Sequence, residues 1–122
     1  MKKVTKTSIK KKLDKIFSLI VRKRGYCAKC DTTEYKKLQC AHIFSRSRLS
    51  VRWDLDNAIC LCFKDHFHWA HREPILFAEF VKNYLGRVRY NALKQKASMI
   101  KKWTLEDLKE LYEILKGYYE KM

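Results

Sequence analysis

No apolar stretch in the 122 residues approaches the ~20 needed to span a bilayer, which excludes a transmembrane helix of the ordinary kind. The basic Met1–Lys6 start is likewise followed by no continuous apolar segment, so no signal peptide is expected and the chain is expected to remain in the cytoplasm. Proline and glycine are scarce, with one and three residues, and there is no internal repeat or low-complexity segment. Nothing therefore reads as a linker, and the length fits a single domain spanning residues 1–122. Carboxylates are the third shortage. Thirteen Asp and Glu face 28 Lys and Arg, leaving a formal charge of +15 that self-repels in any folded state.

What is present answers part of that imbalance. A hydrophobic content of 47% is enough for a real core. A polyanionic partner would relieve the charge, and nucleic acid is favoured, because phosphate neutralisation supplies most non-specific affinity. An anionic membrane surface fits less well, since the basic residues are spread along the chain and not gathered into one amphipathic segment. Five cysteines in a chain without an export signal, two of them in Cys27-Ala28-Lys29-Cys30, suggest metal chemistry before a structural disulfide. A thioredoxin-like role lacks the alternating strands and helices it needs.

Ile9, Leu13, Ile16, Phe17 and Ile20 recur at helical spacing and predict a helix over 8–24, capped by Thr7 or Ser8 and ended by Gly25. A turn-rich stretch from Tyr26 to Thr33 carries the cysteine pair. Residues 37–44 and 58–62 read as two short strands, separated by a polar, basic loop over 45–57, with a helix over about 63–72 following. Loops of that length in a small domain are usually functional. Pro74 suits the first turn of a further helix with Leu76, Phe77, Phe80, Val81 and Tyr84 on its apolar face, ending at Gly86. Tyr90, Leu93, Ala97 and Ile100 form another stripe. Thr104 with Asp107 resembles a capping box ahead of Leu105, Leu108, Leu111, Tyr112 and Leu115. These stripes read as core. The expected fold is α+β: an N-terminal helix, a two-stranded antiparallel hairpin with its helix over 26–75, and C-terminal helices over 75–121.

All four histidines and all five cysteines fall between residues 27 and 71, a concentration that a core has no reason to produce. A Cys-x-x-Cys knuckle supplies two thiolates from one turn, and a tetrahedral zinc site then needs two more ligands. Cys62 is the natural third. Asp65, Cys60 and His68 compete for the fourth place, with Cys62-Phe63-Lys64-Asp65 putting the carboxylate where a second knuckle would put a thiolate. Cys60, like Cys40, reads as a buried small hydrophobe.

The run His42-Ile43-Phe44, the loop Arg52-Trp53-Asp54-Leu55-Asp56-Asn57 and the segment Leu61-Cys62-Phe63-Lys64-Asp65-His66 together resemble the three parts of the HNH, or ββα-metal, endonuclease motif. The similarity is nearest to the zinc-containing phage branch and covers about residues 26–75. It implies a metal-dependent hydrolase of DNA phosphodiester bonds in phage or mobile-element DNA processing, with no small-molecule cofactor. His42 would be the general base, as an imidazole titrating near neutrality suits. Asn57 would brace the loop, and His66 would hold the catalytic Mg²⁺, Mn²⁺ or Ni²⁺. Cys27, Cys30, Cys62 and Asp65 would hold a structural zinc. Arg46, Arg48 and Arg52 lie beside the base, where guanidinium groups suit phosphate oxygens of DNA. Trp53 suits either the core beneath the loop or a stacked base. Two positions depart from the family pattern. Ala41 stands where family members carry an acidic metal ligand, which leaves the second place to His71, Asp54, Asp56 or water. Asp65 stands where they carry cysteine. The competing expectations are a zinc-stabilised DNA-binding module without catalysis, and an RNA-directed basic protein.

Overall fold

The structure, a computed structural model, describes residues 3–122. Helix α1 (Lys6–Arg22) starts at Thr5, whose hydroxyl accepts from the Ser8 amide while the Ser8 hydroxyl accepts from the Thr5 amide. This reciprocal pair corrects the expected cap at Thr7 or Ser8: Ser8 is the far half of a capping box and not its start. The predicted stripe is buried, and Val21 joins it.

Strands β1 (Leu38–His42) and β2 (Ala58–Cys62) pair antiparallel, with Cys40 opposite Cys60 and His42 opposite Ala58. β2 is buried along its whole length, whereas β1 leaves Gln39, Cys40 and His42 half-exposed. Cys40 is thus not the buried hydrophobe expected, although Cys60 is.

A π-helix over Lys64–Ala70 follows β2. Helices α2 (Pro74–Leu85) and α3 (Arg87–Ala97) come next, and Gly86, at φ +83°, makes the turn between them. The last element, α4 (Leu105–Glu120), opens on the expected Thr104/Asp107 capping box and packs along α1. The result is α+β, a two-stranded hairpin among helices in one small domain.

Two apolar cores hold it. The larger joins the buried faces of α1, both strands and α4 with Trp53; the smaller gathers Val51, Val81, Leu85, Leu93 and Ala97 under the loop that joins the strands. Ile100, expected in the α3 stripe, is 91% exposed, because the helix ends at Ala97 and the face it would extend is gone. Leu76 and Tyr84 on α2 are exposed too. No helix among the described residues is long and apolar enough to cross a membrane.

Candidate metal centre and histidine cleft

Cys27 opens a tight turn in which the Asp31 amide donates to the Cys27 carbonyl and the Cys27 amide donates to the Thr32 carbonyl. Asp31 takes a left-handed backbone at φ +64°, a conformation that Asp tolerates better than most side chains. The Ala28 amide donates to the Cys60 carbonyl at 2.9 Å and fixes the turn to β2. This brings Cys27 and Cys30 to Cys62, the last residue of β2, and to Asp65 in the first turn of the π-helix.

One ligand atom from each of the four residues lies within 4.8 Å of the others, close enough to hold a metal ion. The Cys30 and Cys62 sulfurs are 3.7 Å apart, far beyond a disulfide bond, and Asp65 Oδ2 lies 3.2 Å from the Cys27 sulfur and 3.4 Å from that of Cys62. For a tetrahedron with metal–sulfur bonds of ~2.3 Å and metal–oxygen bonds of ~2.0 Å, the edges come to roughly 3.8 and 3.5 Å. The observed separations match those edges.

Four acids in contact cannot all ionise without a cation. A hydrogen bond from the Thr32 backbone favours the Cys30 thiolate, but desolvation and the hydrogen-bonded neighbours Asp65, Cys27 and Cys62 push that thiol up to about 12. Burial raises the Asp65 carboxyl, yet hydrogen bonds from the three thiols outweigh it and hold the group below its ordinary value. A dication bound among the four residues would displace thiol protons and offset the charge of the thiolates it gathered. Cys60 and His68 lie outside the cluster.

A cleft of about 440 Å³ opens between α1, β1 and the π-helix. His42, His66 and His71 line it together with Arg46 and Asp14. His42 stacks on Phe17 of α1, with ring centroids 5.4 Å apart, and its Nε2 is 3.2 Å from the Arg52 carbonyl. A carbonyl can only accept, which places the proton on Nε2 and leaves Nδ1 as the ring's lone pair. Burial, against that hydrogen bond, holds the His42 pKa below its ordinary value, so the ring is neutral at pH 7.

His66 Nδ1 donates in the same way to Gln39 Oε1, at 2.9 Å, leaving its Nε2 free. Burial first, then His71 and His42, push its pKa down to about 4. His71 reaches His66 because of the π winding. Five residues along an α-helix would turn it roughly 140° away, whereas here the His71 amide donates to the His66 carbonyl, i to i+5, and the rings meet edge to face at 4.7 Å. π-Turns often sit at functional sites for this geometric reason.

Asn57, with 0% exposure, joins the two ends of the loop: its Oδ1 accepts from the Phe44 amide at 2.7 Å and its Nδ2 donates to the Phe44 carbonyl at 3.0 Å. The three arginines diverge. Arg46, its side chain 61% exposed, lines the cleft with its Nη1 3.8 Å from Asp14 Oδ2. Arg48 donates to the Ala97 carbonyl, and Arg52 is bound through its guanidinium to Asp14, so neither presents a free fork to a phosphate. Trp53 is buried in the core and donates to Asp14. Asp54 pairs with Lys96 and Asp56 with Arg89, both turned toward α3 and away from the cleft. His71 is the remaining candidate beside His66. His68 is exposed, with its ring against Phe63.

Two residues of the cleft carried no signal strong enough to single them out. Gln39, on β1, sets the His66 tautomer. Asp14 does carry a weak mark, as the only acid in the strongly basic α1. No family model, no curated protein and no solved structure matches the chain.

Proposed function

We propose that this chain is a metal-dependent DNA endonuclease of the HNH type, with His42 as general base and His66, beside His71, as ligand to a divalent ion. The observation that carries the reading is the convergence of those three imidazoles and Arg46 on one cleft. A water attacking a phosphodiester must give up a proton, and a neutral imidazole with a free Nδ1 can take it. The Arg52 carbonyl holds the ring and strengthens its hold as the ring gains charge. Asn57 keeps the loop root rigid, and Arg46 is placed to hold a phosphate oxygen.

His66 and His71 would hold Mg²⁺, Mn²⁺ or Ni²⁺, which when bound stabilises charge on the phosphate and the leaving oxygen. Gln39 orients the His66 ring for that task. The Cys27, Cys30, Cys62 and Asp65 cluster is read as a structural zinc site, on the strength of three cysteine sulfurs and a carboxylate gathered within 4.8 Å of one another. It locks the knuckle to the π-helix at the residue before His66.

A second reading, a zinc-stabilised DNA-binding module, draws on a specific observation. Asp14, the one carboxylate lining the cleft, is taken up by Arg52 and Trp53, which leaves imidazoles alone to hold a hard dication. Purified protein incubated with supercoiled plasmid and each of the three metals separates the two. Nicking that disappears in His42→Ala supports the enzyme, and equal background from both proteins supports the module.

A further inference from the structure

Away from the histidine cleft, a second cavity of about 440 Å³ opens where α2 turns into α3. Lys82 from α2, and Arg87 and Lys94 from α3, stand around it, accompanied by the amides of Asn83 and Asn91. Among the described residues no carboxylate lines it. Among the described residues none of the three cations takes part in an ion pair, although Arg89 and Lys96 on the same helix are both paired with aspartates of the loop. Three like charges around one concavity repel each other in a chain whose net charge is already +15.

The wall is built and not merely charged. Tyr90 is half-buried in the second core, Lys82 lies 5.5 Å from its ring centroid, and the ring packs against Phe44 at 6.3 Å. Phe44 is the residue that Asn57 clamps, two positions after His42. The cavity is therefore fixed to the root of the same loop that carries the proposed base.

The geometry points to a second phosphate-binding site: the α2–α3 cavity holds a backbone phosphate of duplex DNA through Lys82, Arg87 and Lys94, with Asn83 and Asn91 donating hydrogen bonds. Cations with amide donors in a concave setting suit a phosphodiester projecting from a polymer better than the flat face of a membrane. The inference rests on the DNA-binding part of the proposed function and is independent of hydrolysis.

The test compares two variants of equal charge change by fluorescence anisotropy on a labelled 20-base-pair duplex, without added divalent metal. One is Lys82→Gln/Arg87→Gln/Lys94→Gln. The other is Lys11→Gln/Lys102→Gln/Lys116→Gln, at exposed positions elsewhere. The cavity variant is expected to lose tenfold or more in affinity, and the slope of log affinity against log salt is expected to fall by about 2–3. The control variant stays within a few-fold of the parent. Equal weakening of both variants, no weakening of the cavity variant, or no binding by the parent overturns the site. So does a cavity variant that loses binding to phosphatidylserine vesicles but not to duplex. Should the triple variant melt early, Lys82→Gln and Lys94→Gln singly give the same comparison. Plasmid nicking read on the same samples keeps the two proposals apart. A parent that binds through the cavity but does not nick refutes hydrolysis alone, and one that nicks while the cavity variant binds normally refutes the cavity alone.

Discussion

Arg52 is held to Asp14 by two hydrogen bonds, from Nε at 3.1 Å and from Nη2 at 2.6 Å, while its own carbonyl accepts from His42. Through that one residue a carboxylate on α1 fixes the ring orientation of the proposed base. The carboxyl is raised by burial but held below its ordinary value by the hydrogen bonds from Arg52 and Trp53.

Asp14→Ala leaves the Arg52 guanidinium and the Trp53 indole without an acceptor. Orphaning partly buried donors costs about 1–3 kcal/mol, and urea denaturation should show a loss of that size together with weaker nicking. Arg52→Lys keeps the charge and loses the fork, so it should fall between the parent and Asp14→Ala.

Metal analysis should find one zinc per chain. Cys27→Ala or Cys62→Ala should abolish it and lower the melting temperature, and a chelator should do the same to the parent. Asp65→Cys should retain the metal longer against the chelator, since a thiolate is the softer donor. Unchanged melting with and without chelator would remove the structural role of the cluster.

Stability should fall as the medium is acidified from about pH 6.5 to about pH 4. His66 is pushed down to about 4 in the folded protein, from an ordinary value of 6.5, so the unfolded chain binds the proton first over that window. The stabilising contribution is complete above the unfolded value and is lost as pH falls through the folded one. His42, shifted in the same direction, adds to the slope. Asp14, lowered from the ordinary 3.8, adds to the slope only at the acid end of that window and below it, as the unfolded carboxyl begins to bind its proton. Urea midpoints at several pH values should show the slope in the parent and a flatter one in His66→Gln.

Asn57→Ala should be among the most damaging single changes in the loop. It strands the Phe44 amide and carbonyl, at about 1–3 kcal/mol for each group left unsatisfied. Thermal melting checks the loss, and Asn57→Asp, which keeps the acceptor but not the donor, should be milder.

The elements with a periodic or local cause were legible in the sequence: the α1 stripe, both strands, the Pro74 helix start and the Thr104 capping box all rest on neighbours within a few residues. The grouping of Cys27, Cys30 and Cys62 was legible as well, and Asp65 was one of three choices for the fourth place, because the spacings Cys27 to Cys30 and Cys62 to Asp65 are both short. Asp14 was not, since its partners Arg52 and Trp53 lie far along the chain and a lone acid on a helix has no pattern. The pairing of His66 with His71 was legible only as one choice among several, beside Asp54, Asp56 and water. It depends on π winding, and a reader assuming an α-helix would place the two rings on different faces. The fate of the arginines was hidden for a related reason: a basic loop looks uniform until the acids that claim Arg52 and the carbonyl that claims Arg48 are in place.

The most direct trial of the account is the conversion of supercoiled plasmid to open circle by the parent and by His42→Ala, both zinc-loaded and supplied with Mn²⁺. Metal-dependent nicking by the parent, lost in a folded variant that still binds the plasmid, is the result expected. A parent that binds and never cuts with Mg²⁺, Mn²⁺ or Ni²⁺, or a variant that cuts as fast as the parent, contradicts it.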